Sequence, residues 1–153
     1  MKYIQLTKEQ LERLSEDFAK FLAVQKIDKS LWESYKKDNS KMVEEQLNLF
    51  SDLIWEKTLT KVKYLEHLSS DHFNLFCFDE NSAKRIVIST KEKDLLAPEN
   101  LSWALSNLDS PKVNLLRGEK KFSKERNLEI FELILSGAQI CQGDLFKALE
   151  KSL

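Results

Sequence analysis

The sequence predicts an α+β fold, with helices at both ends around a central antiparallel meander of three to four strands. Apolar residues recur at helical spacing in residues 8–58 and again near the C-terminus. Between these regions the apolar pattern changes to alternation, which is typical of strands. With 3 Gly and 2 Pro, the chain lacks the turn residues of a β-sandwich. We therefore expect residues 1–153 to form a single domain.

Three helices are predicted before the strands. Thr7 and Gln10 have the spacing of a capping box, and an amphipathic helix follows to about Lys26. Asp28 can cap a short second helix. The third helix covers about residues 41–58, where apolar residues recur every three or four positions and give it one apolar face.

The predicted meander follows directly. Residues 62–68, 72–79 and 84–90 are short apolar segments joined by tight polar turns, which is the pattern of antiparallel strands. Val113–Arg117 is a candidate fourth strand.

Three helices are predicted among and after these strands. The first begins near Pro98, which suits the first turn of a helix. Ser123 is the expected N-cap of the second, which is apolar on nearly all sides and is therefore predicted to be the most buried; Gly137 ends it. The last helix covers about residues 145–151.

Composition and charge exclude several classes of protein. The net charge is −1, so the chain lacks the basic excess typical of nucleic-acid binding. The N-terminus has no apolar run of a signal peptide, and no segment approaches the length of a membrane span. Cys77 and Cys141 have no metal-binding or redox spacing, which favours free thiols in the cytoplasm. No cofactor-binding motif is present.

One candidate binding site lies on the third predicted helix. Asp52 and Glu56 are four residues apart on one face, and Trp55 borders that face. Paired carboxylates suit Mg²⁺, Ca²⁺ or a basic partner. Exposed like charges at this spacing cost only a few tenths of a kcal/mol, so the pair needs no functional reason and an ordinary solvated face is the favoured explanation.

A second candidate, catalytic or metal-binding, lies on the first two strands. Glu66 and His67 are its main members, with Asp71, His72 and Cys77 nearby. Imidazole is a good acid, base or zinc ligand near neutral pH, but the spacing matches no closed zinc site.

Strand alternation separates the two main members of this candidate. It places Glu66 on the face opposite His67. A buried Glu66 needs a partner, for which Arg85 is a candidate, or a raised pKa. A salt bridge at the rim of the sheet is the alternative.

One local basic cluster interrupts the even charge mixture. Its members are Lys112, Arg117, Lys120, Lys121, Lys124 and Arg126. The last two predicted helices have the outline of a helix-turn-helix, but residues 137–143 make the turn longer than that motif allows. We do not expect nucleic-acid binding.

Three passages resemble an uncharacterised family of small bacterial cytosolic proteins of about 150 residues. They are MKYIQLTKEQ, LFSDLIWEKTLTKVKYLEHLS and GDLFKALEK. The resemblance implies a free-standing cytosolic protein and supplies no functional residues.

Two functions remain open on the sequence. A non-enzymatic protein-interaction module, acting on a protein partner or by self-association, is favoured by Trp32, Tyr35, Trp55 and Trp103 on predicted helices. The same aromatic residues could instead fill the core. The alternative is a small enzyme or a ligand- or metal-binding protein. It requires Asp52, Glu56, Glu66 and His67 to converge on one pocket.

Overall fold

The computed structural model describes all of residues 1–153 and contains seven helices and five strands. In chain order these are α1 (Lys8–Arg13), α2 (Ser15–Val24), α3 (Lys29–Asp38), α4 (Ser40–Lys61), β1 (Tyr64–Leu68), β2 (His72–Phe78), β3 (Ser82–Ser89), α5 (Pro98–Ser106), β4 (Asn114–Lys121), α6 (Arg126–Leu135), β5 (Gln139–Cys141) and α7 (Asp144–Ser152). The fold is therefore α+β, as predicted. The chain separates into two compact units, Met1–Thr60 and Lys61–Leu153.

The N-terminal unit begins with the predicted capping box. The Thr7 side chain accepts from the Gln10 N–H, and the Gln10 side chain accepts from the Thr7 N–H. The predicted single helix is two helices, because Leu14, with φ −103° and ψ 19°, leaves helical geometry. Asp28 caps α3 as expected, by accepting from the Leu31 N–H.

Aromatic side chains form the interior of this unit. The Phe18 ring lies 5.0 Å from Phe50, 5.3 Å from Trp32 and 6.1 Å from Phe21, measured between ring centroids. Phe50 is 1% exposed. Such ring contacts add about 0.5–1.5 kcal/mol each to the burial of apolar area. Trp32 therefore belongs to the packing of its own unit.

The C-terminal unit contains a five-stranded antiparallel sheet in the order β4-β3-β2-β1-β5. The three strands of the predicted meander and the candidate fourth strand are all present. The fifth strand, β5, was not predicted, because a three-residue strand is too short to show alternation.

The two faces of the sheet are covered differently. One face, here called the core face, carries Phe73, Leu75, Ile86 and Ile88, which pack with Ala104 of α5 and with Phe146 and Leu149 of α7. On the opposite face lies α6. This helix is anchored by Arg126, which donates to the main-chain oxygens of Val62 and Asp79.

Helix α6 differs from the prediction at its start. It begins at Arg126, and Ser123 is not its cap but donates its hydroxyl to Glu129 at 2.8 Å. As predicted, it has the largest buried share of the helices, with Asn127, Ile130 and Phe131 buried among its ten residues, although Leu135 is 57% exposed. Only part of its apolar surface meets the sheet. Gly137 ends the helix, as predicted, with a φ of 113°.

Candidate functional site

A cleft of about 780 Å³ lies between α6 and the face of the sheet opposite the core face. We call it the sheet cleft. Its volume is within the range of about 300–1,000 Å³ typical of small-molecule sites. It is lined by His67, Asn74, Phe76, Phe78, Ala83, Arg85, Val87, Leu116, Arg117, Gly118, Glu119, Lys120, Glu129, Glu132, Leu133 and Ser136.

Strand register explains which side chains reach the cleft. His67 is paired with Asn74 across β1 and β2, and Phe76 is paired with Arg85 across β2 and β3. Paired residues lie on the same face of a sheet, as do alternate residues of one strand. His67 of β1, Asn74 of β2 and Arg85 of β3 therefore lie on the same face of the sheet as Phe76.

Arg85 is oriented by its neighbours without being neutralised. Its Nε donates to Asn74 Oδ1 at 3.0 Å, and one Nη donates to the same oxygen. Its guanidinium lies 5.7 Å from the centre of the Phe76 ring. Asn74 is uncharged and Arg85 forms no ion pair, so its positive charge and its remaining N–H donors stay available.

His67 is a polar group of the cleft that has no hydrogen-bond partner. Its imidazole forms no hydrogen bond or ion pair within the chain and is half-buried. The ring packs against Gly137: a Cβ on that residue would lie 3.1 Å from His67 Nε2. Gly137 therefore both ends α6 and makes room for the imidazole.

Two of the three carboxylates in the cleft have cationic neighbours. Glu132 pairs with Lys124 at 2.7 Å, and Glu129 accepts from Ser123 and lies 3.9 Å from Lys120. Burial tends to raise the pKa of Glu129, but the bonds from Ser123, together with Lys120 and Lys124, lower it, and the carboxylate stays ionised. The third carboxylate, Glu119, accepts from Ser82 at 3.2 Å. None of the three pairs with Arg85.

The wall of the cleft is apolar. Phe76, Phe78, Val87 and Leu116 on the strands face Leu133 on α6. Gly118 on β4 widens the space, since nothing lies within 4 Å of the position its Cβ would occupy. The cleft can therefore accommodate a ligand that combines an apolar body with an anionic group.

The structure separates the residues of the predicted catalytic or metal site. His67 lies in the sheet cleft, whereas Glu66 lies on the core face, as alternation indicated. Arg85 is not the partner of Glu66, because register places Arg85 on the side of His67. His72 Nδ1 lies 2.8 Å from the Asp71 carboxylate, an exposed contact in the β1–β2 turn.

The neighbour of Glu66 is the Cys141 thiol. Burial raises the pKa of Cys141, and the Glu66 carboxylate raises it further. Burial likewise raises the pKa of Cys77. Both cysteines are free thiols, and a raised pKa makes them poor nucleophiles near neutral pH.

Asp52 and Glu56 bind the N-terminal segment of the chain. Asp52 accepts from the main-chain N–H groups of Lys2 and Tyr3, at 2.7 and 2.9 Å. Glu56 accepts from the Tyr3 hydroxyl and pairs with Lys2 at 3.4 Å. Trp55 lies beside Tyr3, with 6.4 Å between the ring centroids. These contacts all lie within the N-terminal unit and hold residues 2–6 along α4.

Other predicted features are also engaged locally. Trp103 lies under Lys93, whose Nζ is 4.6 Å from the ring centre. Within the basic cluster, Arg126 binds main-chain oxygens, and Lys120 and Lys124 lie beside carboxylates. No group of three or more His, Cys, Asp or Glu side chains is placed to hold a metal ion. None of the helices combines the length and hydrophobicity needed to cross a membrane.

These features define a small α+β protein with a ligand-sized cleft on one face of an antiparallel sheet. The chain belongs to a family of unknown function, DUF6495, whose model matches residues 1–153. No curated protein and no solved structure matches it.

Sequence reasoning singled out three residues that line the sheet cleft, namely His67 and, in the basic cluster, Arg117 and Lys120. It missed the role of Arg85, Asn74 and Leu133, because the cleft depends on register between strands and on the position of α6. The available signal was Arg85 itself, a charged residue directly before the apolar run of residues 86–88.

Proposed function

We propose that the C-terminal unit is a binding module for a small organic anion, a ligand with a carboxylate or phosphate group on an apolar body. The observation that carries the proposal is the pairing of Arg85, oriented by Asn74 and not neutralised, with an apolar wall in a cleft of about 780 Å³. His67, which has no partner within the chain, is the second expected contact for the anionic group.

This proposal replaces the four-residue pocket expected from the sequence. Glu66 and His67 lie on opposite faces of β1, and Asp52 and Glu56 bind residues of the N-terminal segment. Of that set, the proposed site retains only His67. Both thiols lie outside the cleft lining, as do Asp52 and Glu56, which favours binding over nucleophilic catalysis.

The cellular setting is part of the same proposal. Cys77 and Cys141 are both free, and each is paired in register with Tyr64, one on either side of β1. Tyr64 thus separates the two thiols, which supports a protein suited to a reducing compartment such as the cytoplasm. The bacterial origin implied by the resemblance stays a prediction.

Binding of aromatic anions tests the proposal directly. The isotope-labelled full chain is titrated with benzoate and with phenyl phosphate, and neutral benzamide serves as the reference. We expect dissociation constants on the order of 1 mM for such small probes. The Arg85 side-chain and His67 imidazole resonances should shift with both anions, and benzamide should cause smaller shifts.

Variants on neighbouring positions of β3 separate specific binding from a general charge effect. Arg85→Met should weaken benzoate binding by about 10- to 100-fold, because hydrogen bonds to a charged group contribute about 1.5–3 kcal/mol. Lys84→Met removes the same charge from the opposite face and should leave binding unchanged. Equal binding of benzamide and benzoate, or equal effects of the two variants, would show that the proposed site is wrong.

A further inference from the structure

Strand β4 forms one edge of the sheet and pairs only with β3. All its residues except Leu115 are exposed, so no element of the chain covers this edge. Leu116 is 64% exposed. An exposed edge presents main-chain N–H and C=O groups to which another strand can bind.

The register shows which groups of β4 face outward. Phe122 N–H donates to Asn81 O, which continues the pairing of β4 with β3. In an antiparallel pair, hydrogen-bonded pairs alternate with non-hydrogen-bonded ones. Asn114, Leu116, Gly118 and Lys120 therefore bond to β3, and Leu115, Arg117, Glu119 and Lys121 direct their main-chain groups outward.

The edge lacks the structural features that usually prevent strand addition. All eight residues Asn114–Lys121 are paired with β3 in one uninterrupted register, with no bulge and no Pro. Native edge strands are commonly protected by bulges, by Pro, by short length or by charge. Of these protective features β4 has only charge, so the arrangement of its charged residues decides whether another strand can pair with it.

We propose that β4 pairs with β4 of a second copy of the chain, antiparallel, with Gly118 of the two copies facing each other on a two-fold axis. In this register Arg117 faces Glu119 of the partner subunit, and Glu119 faces Arg117 of the partner subunit. Both pairs consist of residues whose main-chain groups point outward, so each is a hydrogen-bonded pair. The charges on this edge are thus self-complementary.

Neighbouring registers are less favourable. Pairing centred on Arg117 places two arginines opposite each other, and pairing centred on Glu119 places two glutamates opposite each other. Opposite charges across a strand pair stabilise it, and like charges destabilise it. Arg117 forms no ion pair in its own chain, and Glu119 accepts only from Ser82, at 3.2 Å.

The proposed dimer has a defined geometry. The two sheets join into one continuous sheet, as in other isologous two-fold assemblies. A two-fold axis normal to the sheet keeps each face on its own side, so both sheet clefts open in the same direction. Residues of β4 also line the sheet cleft, but association and ligand binding are measured separately, so either proposal can fail without the other.

Sedimentation equilibrium of the full chain over about 1 μM to 1 mM measures the association. We expect a reversible dimer that Arg117→Glu or Glu119→Arg weakens at least about tenfold, because each change places like charges opposite each other twice. Lys112→Glu alters net charge by the same amount as Arg117→Glu and lies outside β4, so it should have no effect.

Mixing the two charge variants gives the sharpest test. Arg117→Glu carries two acidic residues around Gly118, and Glu119→Arg carries two basic ones. Neither should self-associate, but an equimolar mixture should form a heterodimer, and the double variant should regain self-association. A heterodimer confirms the register, and a mixture that stays monomeric overturns it. Far-UV circular dichroism of each variant shows that it is folded.

A crosslink provides an independent measurement. Gly118 has open space where its Cβ would lie, so Gly118→Cys fits the fold. Directly opposite residues of a non-hydrogen-bonded pair are close enough for a disulfide. In a Cys141→Ser background, Gly118→Cys should form covalent dimers on mild oxidation, and Asn114→Cys should not. A wild-type chain that remains monomeric at 1 mM, together with equal crosslinking at both positions, overturns the proposal.

Discussion

The N-terminal segment is held by a side chain that serves as an anchor for main-chain groups. Asp52 accepts from two successive residues, Lys2 and Tyr3, and Ser51 accepts from the Leu6 N–H at 2.9 Å. Hydrogen bonds to an ionised acceptor are roughly twice as strong as neutral ones. Asp52 thus satisfies main-chain donors that neither helix nor sheet satisfies.

The hydroxyl of Tyr3 gives this anchor a pH dependence. Burial, together with the neighbouring Glu56 carboxylate, raises the pKa of Tyr3 to about 12. The pKa of an unfolded tyrosine is about 10. The pKa of Tyr3 is higher in the folded chain than in the unfolded chain. The protonated hydroxyl therefore stabilises the fold fully below pH 10, and this stabilisation is lost as pH rises through 12.

We therefore expect the free energy of unfolding to fall between pH 10 and 12 more steeply in the wild type than in Tyr3→Phe. Urea unfolding at a series of pH values measures the difference, in which lysine titration cancels. Tyr35→Phe leaves the Tyr3–Glu56 contact in place and should retain the wild-type dependence. Identical curves for wild type and Tyr3→Phe would contradict the assignment.

The roles of single residues were only partly predictable. The Thr7–Gln10 capping box and the Asp28 cap are local, so sequence spacing was sufficient to find them. The faces of Glu66 and His67 followed from alternation along one strand. The partner of Asp52 lies about 50 residues away, and no local pattern encodes a contact at that distance.

Among the elements, α6 is attached to the sheet by one arginine. Arg126 reaches Val62 O and Asp79 O with different nitrogens of its guanidinium. Val62 lies two residues before β1, and Asp79 directly follows β2. The arginine therefore ties the beginning of α6 to two strands at the end of the sheet.

Removing this arginine should loosen the helix. Arg126→Met keeps much of the apolar stem but leaves both main-chain oxygens without the charged donor, and we expect a loss of about 2–3 kcal/mol in urea unfolding. Lys124→Met removes an exposed ion pair and should cost less than about 1 kcal/mol. Equal losses in the two variants would show that Arg126 acts only as a surface charge.

Elements were predicted well where their apolar pattern was long. The helices of the N-terminal unit and the meander were found, and β4 was expected at Val113–Arg117 but extends to Lys121. The charged residues of β4 hid its second half. The apolar surface of α6 predicted its burial, which is confirmed for Ile130 and Phe131, but Leu133 lines the sheet cleft and Leu135 is exposed.

For the whole molecule, the predicted single domain remains to be measured. The N-terminal unit has about 60 residues, and the boundary at Thr60 lies inside α4 rather than in a Gly- or Pro-containing linker. A domain of about 60 residues buries only about 60% of its unfolded surface and is marginally stable alone. We expect the chain to unfold as one cooperative unit.

Differential scanning calorimetry measures this cooperativity. A single transition with equal calorimetric and van't Hoff enthalpies is the expected result. The variant Leu133→Ala, which truncates a side chain of the C-terminal unit, should shift that one transition to lower temperature without splitting it. Two resolved transitions, of which only one moves in Leu133→Ala, would show that the prediction of a single domain is wrong.

The strand order has a consequence for synthesis of the chain on the ribosome. The meander from β1 to β3 joins strands that are neighbours in sequence. In contrast, Glu66 of β1 pairs with Gln139 of β5, which is synthesised about 70 residues later. At about 5–20 residues per second, that interval lasts roughly 4–15 s. During this time the nascent sheet exposes β1 as an unpaired edge, which makes it a place where a chaperone can act before β5 arrives.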